Sequence, residues 1–298
     1  MSLYRITVKL LSSIVTPLKG DTIWGHIVWG IADYEGEAAV TEFLQQEKKQ
    51  PQLLVSSAFP HGFICKPYPP PSKRTETLNL AKYAEIKKNK KRKYVLASDY
   101  FERNDDKHTD TISASENGSD CFKSETRMHN SIDRYSNTVM EGNLFEITEL
   151  WSSTDMFDIY VASTFPSERI LELFAHGLSH GFGADASTGR GHLEIIGQAE
   201  PVIPKKNGTK YMALAPFVLA HDENRIKDLR ADIFVRNGKI GGSFASFMSP
   251  YKKTVLLYDE GAVFSSDTEL EYVGMLLNDV HADSRICQAG FAPVIPIP

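Results

Sequence analysis

The chain has 298 residues, of which 42% are apolar and 10% aromatic, and its 33 basic and 38 acidic side chains give a net charge of −5. This composition excludes a disordered chain, since there is enough apolar material for a buried core and little net charge to oppose folding. No apolar run approaches the ~20 residues that a membrane-spanning helix needs, and the first residues lack the pattern of a signal peptide. We therefore expect a globular, cytoplasmic protein with no membrane partner.

The overall charge and the cysteines exclude further classes of protein. A net charge of −5 gives no whole-protein attraction for nucleic acid, so a role of that kind requires a local patch. Cys65, Cys121 and Cys287 lie far apart, which predicts neither a disulfide framework nor a C-x-x-C metal motif. The sequence thus predicts no bound metal and no cofactor.

Alternating and helical patterns organise the first two hundred residues. A helix begins after Gly20, with Asp21 or Thr22 expected as its N-cap. A second helix begins at Pro166 and ends near Gly181. Strand patterns flank these helices at 3–11, 53–59, 158–163 and 192–197. The order β-α-β, insertion, β-α-β predicts a ferredoxin-like unit.

The segment at about 60–156 has a different character and is predicted to be a set of insertions in this unit. A proline cluster breaks regular structure near its start, and six of the seven residues 87–93 are basic. Such a run is typical of a solvated loop, but it could also contact nucleic acid. Tyr94 beside it could stack on a base.

The remaining residues predict a second domain that is rich in strands. One helical pattern stands out, at 267–277. Short strand candidates occur at 211–220, 231–236, 254–258, 261–264 and 291–296. We therefore predict an α+β protein with an N-terminal domain at 1–200, which carries the insertions, and a C-terminal domain at 201–298.

The glycine-rich stretch 181–191 is the most informative motif. It follows a helix and precedes a strand, the reverse of a dinucleotide-binding loop, and it lacks the spacing of a P-loop. Glycines let a backbone approach phosphates closely, and Ser187, Thr188 and Arg190 add hydroxyl and guanidinium donors. A phosphate-binding loop and a glycine-rich turn without a ligand both remain open.

Two shorter motifs point to hydrolytic or metal chemistry, and each has a plainer explanation. Residues 177–181 match the G-x-S-x-G nucleophile elbow through Ser179, but an elbow needs a strand before the serine and a helix after it. His176 and His180 stand four apart on a helix without the glutamate and third ligand of a zinc site. Both histidines suit the negative end of the helix dipole.

Three further polar groups are candidates for RNA chemistry or RNA contact. His26, inside the first helix, could act as general base on a 2′-hydroxyl or could simply pack. Residues 129–134 hold His, Asn, Asp and Arg, which suits either a turn or an anionic ligand. Tyr251-Lys252-Lys253 precedes an apolar strand and could guard its edge or contact an anion.

Five motifs in this order resemble the CRISPR RAMP proteins of the Cas five group. Residues 19–25 are similar to the helix start S-D-T-[LI]-[FW]-G of RAMP proteins, and residues 183–191 resemble their glycine-rich loop. Three motifs resemble those of subunit four of the type III-A Csm interference complex: residues 129–134 with 142–145, 252–253 with 260–264, and 286–293. The resemblance covers nearly the whole chain, although Ala262 and Gln288-Ala289 depart from the pattern.

The resemblance implies a specific fold and role. The fold would be two ferredoxin-like (RRM-like) domains, the first with long insertions that include a thumb-like element. The protein would have no nuclease activity and would bind the 5′ repeat tag of the CRISPR RNA (crRNA). It would cap the filament of backbone RAMP subunits, dock the large polymerase-like signature subunit, and meet target RNA only indirectly.

The motif positions and their neighbours make up the predicted RNA-binding set. Its members supply glycine backbone, hydroxyl and amide donors, aromatic rings and cations, which is what single-stranded RNA recognition uses. They are Lys19, Gly20, Asp21, Thr22, Trp24, His26, His129, Asn130, Ile132, Asp133, Arg134, Gly183, Ser187, Thr188, Gly189, Arg190, Gly191, His192, Tyr251, Lys252 and Lys253.

Three alternative functions stay open at this point. The first is a RAMP endoribonuclease that processes CRISPR precursor RNA with His26 as general base. Its glycine-rich loop would lie near the C-terminus, whereas here more than a hundred residues follow Gly191. The second is a serine hydrolase acting through Ser179, and the third is an architectural subunit that touches only proteins.

Overall fold

Antiparallel strands make up most of the computed structural model, which describes residues 1–70, 86–87, 90–102, 118–205, 208–220, 223–241 and 249–297. The α-helices are α1 (Gly20–Glu35), α2 (Glu37–Lys49) and α3 (Ser167–Leu178). The strands are β1 (Ser2–Leu10), β2 (Leu53–Pro60), β3 (Phe63–Cys65), β4 (Tyr94–Leu96), β5 (Phe122–Ile132), β6 (Val139–Ser152), β7 (Met156–Ser163), β8 (Leu193–Pro201), β9 (Lys210–Ala213), β10 (Lys227–Arg230), β11 (Ile233–Arg236), β12 (Val255–Tyr258), β13 (Val263–Ser265), β14 (Tyr272–Leu277) and β15 (Gln288–Ile297).

The first sheet contains four antiparallel strands in the order β2-β7-β1-β8. Its central strand β1 alternates between buried and half-buried positions, so that Ile6 and Val8 face the interior. Helices α1 and α3 supply the other side of this interior through apolar residues at helical spacing, such as Ile27 and Phe174. The predicted strands and helices of this unit are confirmed, and so is the α+β class.

Helices α1 and α3 approach each other closely because both carry glycine at the crossing point. A Cβ atom at Gly30 would lie 2.6 Å from the backbone nitrogen of Gly177. A Cβ atom at Gly177 would lie 2.8 Å from the Cα atom of Ile27. No side chain fits between the two backbones, so this crossing sets the position of α1 over the sheet.

Two antiparallel pairs lie in the predicted insertion. Strands β3 and β4 form a short pair, and β5 and β6 form a long hairpin that we call the arm (residues 122–152). A bridge between Ile14 and Leu150 fastens the arm to the segment that follows β1. Residues 88–89 of the basic run lie outside the described residues, whereas 90–93 lead directly into β4.

The second half contains a five-stranded sheet in the order β10-β13-β9-β15-β14, and β11 and β12 form a separate pair. The short strands predicted at 211–220, 231–236, 254–258, 261–264 and 291–296 each contain or overlap an observed strand. The helix predicted at 267–277 is wrong, because its second part is strand β14. There Val273 and Leu276 are buried, and the whole strand pairs with β15. Pairing with a long neighbouring strand outweighs the local helical pattern.

Two local features of α1 and α2 also differ from expectation. Helix α1 starts at Gly20 after Lys19, and no side chain caps it, so the predicted N-cap at Asp21 or Thr22 is wrong. Helix α2, which the sequence analysis did not predict, begins directly after Gly36, whose φ of 90° lets the chain turn between the two helices.

Apolar side chains from the two halves share a continuous interior. Trp24 of α1 meets Phe291 of β15 edge to face, with ring centroids 5.5 Å apart. Phe59 of β2 belongs to the same buried cluster as Met212 and Ile295 of the second sheet. The predicted boundary at residue 200 is therefore crossed by extensive buried contact. Within the described residues, no helix has the length and apolar character required to span a bilayer.

We expect the glycine crossing to be intolerant of even one methyl group. Gly30→Ala forces the two helix backbones apart and should lower the free energy of unfolding by about 1–3 kcal/mol. Gly25→Ala is the matched control, because nothing lies within 4 Å of a Cβ at that position of the same helix. It should raise stability by about 0.5–1 kcal/mol. Urea unfolding measures both, and an equal gain from the two substitutions would contradict the close crossing.

Candidate nucleic-acid interface

The glycine-rich loop connects α3 to β8 and depends on glycine for both conformation and space. Gly183, Gly189 and Gly191 have φ angles of 77°, 92° and 67°, in the left-handed region that glycine favours. A Cβ atom at Gly191 would lie 2.0 Å from the carbonyl oxygen of Phe182. Ser187 and Thr188 lie in a short 3-10 turn within the loop and are exposed, and the hydroxyl of Thr188 donates to the carbonyl of Asp185.

The side chain of His26, on helix α1, holds this loop in place. Its Nε2 atom accepts a hydrogen bond from the backbone N–H of Gly183 at 2.9 Å, and its ring lies against Phe182 with centroids 5.0 Å apart. Burial lowers the pKa of His26 to about 4, so the imidazole is neutral at pH 7 with its proton on Nδ1. The lone pair that a general base needs is thus already engaged by the protein.

A buried carboxylate joins the loop to the arm. Arg190 donates from Nε and Nη2 to Glu149 on β6, at 2.9 and 2.5 Å. Ser13 donates to the other oxygen of Glu149 at 2.9 Å, and His129 of β5 lies 3.4 Å from Arg190. The guanidinium of Arg190 lowers the pKa of Glu149, which is therefore ionised at neutral pH. The predicted loop and the predicted 129–134 cluster are brought together here.

Glu149 was missed in the sequence analysis. The signal that could have found it is its place among apolar neighbours, Ile147 and Leu150, in a segment otherwise rich in exposed polar residues. A carboxylate with a side chain only 2% exposed needs a cation, and Arg190 supplies it.

One face of the arm carries aromatic rings and cations. His129 stacks on Phe145 with ring centroids 5.7 Å apart, and the guanidinium of Arg127 lies 5.4 Å from the ring centroid of Trp151. Large apolar side chains stand exposed along the arm at Met128, Ile132, Val139, Met140, Leu144, Phe145 and Trp151. Exposed rings beside cations are the surface on which unstacked bases bind.

The end of the arm accounts for the rest of the 129–134 cluster. Asp133 accepts hydrogen bonds from the N–H of Tyr135 and the hydroxyl of Ser136, at 2.9 and 3.1 Å, and these bonds lower its pKa. Asp133 thus closes the turn, which is the alternative that the sequence analysis left open for this segment. Asn130 and Arg134 are exposed on either side of it.

The start of α1 places several predicted RNA-binding residues inside the protein. Trp24 is 2% exposed, and its ring has no face open to a base. A Cβ atom at Gly20 would lie 2.4 Å from the carbonyl oxygen of Val55, so this glycine serves the contact with β2. Thr22 is half-buried on the same helical turn. In this structure, these residues serve the packing of α1.

The charged residues of this region bind each other rather than pointing to solvent. Lys19 donates to Asp259 and Glu260 at 2.5 and 2.7 Å, in the turn between β12 and β13. Burial raises the pKa of Glu260. Asp21 accepts two bonds from Arg236 of β11, at 2.8 and 2.6 Å.

Lys252 joins the same network through Gln288. Its Nζ donates to Gln288 Oε1 at 3.0 Å and to the carbonyl of Cys287 at 2.8 Å, while the amide of Gln288 donates to Asp21 at 2.9 Å. Burial lowers the pKa of Lys252. Gln288 is one of the positions that depart from the family pattern, and here it connects two predicted site residues.

Other predicted residues lie at the surface. The ring of Tyr251 is 61% exposed and lies 5.3 Å from the Nζ atom of Lys239. Beside it, Lys253 is exposed, and its backbone N–H donates to the carbonyl of Val280. His192, after the glycine-rich loop, is also exposed. Within the described residues no group of three or more His, Cys, Asp or Glu side chains could hold a metal ion.

Comparison with known proteins agrees with this architecture. No family model and no curated protein matches the sequence. A chain from the crystal structure of the Csm3–Csm4 subcomplex of a type III-A CRISPR-Cas interference complex matches with a TM-score of 0.60 and 13% identity, over 100% of both chains. A chain of the Csm1–Csm4 cassette with AMPPNP matches with a TM-score of 0.57 and 12% identity, over 99% of this chain and 98% of that one. The protein common to the two assemblies is Csm4.

The chain has the fold of Csm4. A further structure of the Csm1–Csm4 cassette, in complex with cA4, matches with a TM-score of 0.56 and 13% identity over 99% of both chains. The resemblance to subunit four of type III-A complexes, predicted from five motifs, is therefore confirmed at the level of the fold. The likeness to Csm4 extends through the arm and the second half, since it leaves almost none of the chain uncovered.

We expect His26 to act as an acceptor for the loop. His26→Leu leaves the N–H of Gly183 without a partner and should lower the free energy of unfolding by about 1–3 kcal/mol. It should also speed hydrogen exchange at Gly183. His26→Gln keeps an acceptor for this N–H and should lower the free energy of unfolding by a smaller amount. In NMR the wild-type imidazole should stay neutral at pH 5.5, and a protonated ring at that pH would contradict the assignment.

We expect the bond between Glu149 and Arg190 to make stability depend on pH in acid. Glu149→Gln should lower the free energy of unfolding by about 2 kcal/mol at neutral pH. Because Arg190 lowers the pKa of Glu149 in the folded state, its stabilisation is complete above the ordinary value of 4.5 and is lost as the pH falls through the lowered pKa. The difference between wild type and variant should therefore shrink on acidification. A constant difference between pH 7 and pH 3 would contradict this.

Proposed function

We propose that this chain is a non-catalytic subunit of a type III-A CRISPR Csm effector complex in antiviral defence. It binds the 5′ repeat tag of crRNA, caps the backbone filament and docks the large signature subunit. The observation that carries this proposal is the match to a chain of the Csm3–Csm4 subcomplex over 100% of both chains. That subcomplex and the Csm1–Csm4 cassette also suggest the two classes of protein partner, a backbone RAMP subunit and a large subunit.

We also propose that the fold consists of two ferredoxin-like domains, at 1–200 and 201–298. In the first, the four sheet strands taken in chain order lie in the order 2-3-1-4, with a helix after the first strand and a helix after the third. This arrangement supports a split βαβ unit. In the second domain, the five-stranded antiparallel sheet supports a variant of this fold in which additional strands take the place of the helices.

The RNA-binding surface proposed here consists of the exposed and half-buried members of the predicted set in the loop and the arm. It combines the glycine-rich loop, with Ser187, Thr188, Gly189 and Arg190, and the aromatic face of the arm around His129. Backbone N–H groups and Arg190 suit phosphates, and the arm suits unstacked bases. Lys19, Asp21, Trp24, His26 and Lys252 serve this surface from inside, by holding α1 and the loop.

The geometry of the two candidate catalytic residues favours binding over catalysis. The lone pair of His26 that a base would use accepts the N–H of Gly183. The hydroxyl of Ser179 donates to the carbonyl of His176, at the end of the preceding helix. A processing endoribonuclease acting through His26 remains the alternative function, and a test for RNA cleavage separates the two.

The test is binding of the full chain to a single-stranded RNA that carries the repeat 5′ tag, compared with a scrambled RNA across a salt series. The tag should bind more tightly. Arg190→Ala should weaken binding about tenfold and lower the salt slope by about 0.7, the loss of one phosphate contact on a single strand. Arg169→Ala is the matched control, because it removes a paired cation at the start of α3, at the other end of that helix from the loop, and it should bind within twofold of wild type.

Each other outcome has a definite meaning. Equal binding of tag and scrambled RNA would contradict tag recognition. Equal loss in Arg190→Ala and Arg169→Ala would contradict a phosphate contact through Arg190. RNA found cleaved on a denaturing gel, and intact with His26→Ala, would establish the endoribonuclease. A chain that binds no RNA at low salt would have the architectural role alone.

A further inference from the structure

Helix α2 packs against the body of the protein through apolar side chains that are only half-buried. Val40, Phe43 and Leu44 contact the interior between the first sheet and its helices in this way. Glu47, in the last turn, is the one residue of the helix that is fully buried. A surface helix ordinarily buries an apolar stripe, and a buried carboxyl group needs compensation of its own. The function proposed above does not use α2.

The carboxyl group of Glu47 lies at the turn that joins α2 to β2. Its Oε1 atom accepts hydrogen bonds from the backbone N–H groups of Gln52 and Leu53, at 2.8 and 3.2 Å. Its Oε2 atom is shielded from solvent and, within the described residues, has no hydrogen-bond partner. Because the residue is only 1% exposed, ionisation would leave a charged oxygen with neither water nor a donor. The neutral acid is far less costly to bury.

No cation among the described residues compensates for this burial. Lys48 and Lys49, which follow Glu47 on α2, are exposed. From the second half, the thiol of Cys287 faces Glu47, and burial raises the pKa of this thiol to about 11. Lys252, beyond it, donates to the carbonyl of Cys287 at 2.8 Å. The C-terminal end of a helix carries a partial negative charge, which also disfavours a carboxylate there.

The other titratable groups on the elements beside α2 are engaged elsewhere or exposed to solvent. On α1, Glu35 pairs with a cation of α3, and Asp33 is exposed. In the segment before β15, Arg285 pairs with Glu37, at the opposite end of α2. Tyr272 of β14 is half-buried. The buried carboxyl group is therefore not part of a network of charges.

Burial raises the pKa of Glu47 to about 8, so the group is neutral at pH 7. The geometry agrees with this state, because two backbone donors meet one oxygen and nothing meets the other. A neutral carboxyl group can remain buried in this position, whereas a carboxylate cannot.

We propose that Glu47 is a proton-dependent latch for α2. As a neutral acid it holds the last turn of the helix against the start of β2. When it loses its proton to solvent, the last turn opens so that water reaches the carboxylate. Opening loosens Phe43, one turn earlier, from Trp24 and Phe165, whose ring centroids lie 6.2 and 6.5 Å from its own. The latch thus controls the cover over the buried ring of α1.

The first test is urea unfolding of the full chain and of Glu47→Gln between pH 5 and pH 9. Because burial raises the pKa of Glu47 in the folded state, the stabilisation from its proton is complete below the ordinary value of 4.5 and is lost as the pH rises through about 8. Glutamine has the shape of the neutral acid but cannot ionise. The urea midpoint of wild type should therefore fall relative to that of Glu47→Gln as the pH rises.

Glu42→Gln is the matched control, because it changes an exposed carboxylate of the same helix. Its urea midpoint should follow that of wild type at every pH. A difference between wild type and Glu47→Gln that stays constant from pH 5 to pH 9 would overturn the latch.

The second measurement, backbone hydrogen exchange, tests whether α2 itself opens. The amides of α3 are the internal reference, because that helix does not contain the latch. From pH 7 to pH 9, exchange at the last-turn amides of α2 relative to those of α3 should rise about tenfold in wild type, as the carboxylate comes to predominate. In Glu47→Gln this ratio should stay within twofold. A ratio that stays constant in wild type would overturn the assignment.

The outcome does not depend on the stability of the variant or on the proposed function. If Glu47→Gln folds poorly, the exchange ratio in wild type alone still decides. Neither measurement involves RNA, so failure of the latch leaves the proposed function standing, and the converse also holds.

Discussion

The position of helix α1 depends on a buried polar network at its first turn, and the rest of the site depends on α1. Asp21 is fully buried and would be costly to bury alone, but Arg236 and Gln288 supply three hydrogen bonds to its carboxylate. Lys19, two residues earlier, donates to Asp259 and Glu260 in the turn between β12 and β13. Because all these partners belong to the second half, the helix is held by the part of the chain that follows it by two hundred residues.

From this anchored helix a series of short contacts leads to the surface. His26 lies about 7.5 Å along the helix axis from Asp21 and holds Gly183, and the loop of Gly183 presents Arg190 to Glu149 on the arm. Each link is a directional hydrogen bond between groups that are buried or half-buried. The base of the arm is positioned by the loop, by the bridge of Ile14 with Leu150, and by Phe122, whose ring stacks on Phe157 of β7. A displacement of α1 would therefore be transmitted to the arm.

The strands and helices of the first sheet were predicted correctly because each buries one face. Burial of one face places apolar residues at the regular spacing of a strand or a helix. The arm was not predicted as strands, because both of its faces are largely exposed and no alternation is imposed. Helix α2 could have been found from Val40, Phe43 and Leu44 at helical spacing. Strand β14 could not have been found in this way, because its extended conformation depends on pairing with β15, which is a contact between separate segments of the chain. The predicted site shows the same division: which side chains of its segments point inward depends on partners such as Glu149, Arg236 and Gln288, which no local pattern indicates.

This division explains why the motifs predicted the fold more securely than the ligand. Lys19, Gly20, Asp21 and Trp24 form the motif at the helix start, and all four are engaged by the protein itself. Gly191, in the loop motif, is required by the carbonyl of Phe182. Motifs of this kind record how α1 and the loop pack against the rest of the protein. The structural match over the full chain at 13% identity likewise shows a shared fold. We therefore expect specificity for a ligand to reside in exposed side chains, such as the rings of Phe145 and Trp151 on the arm.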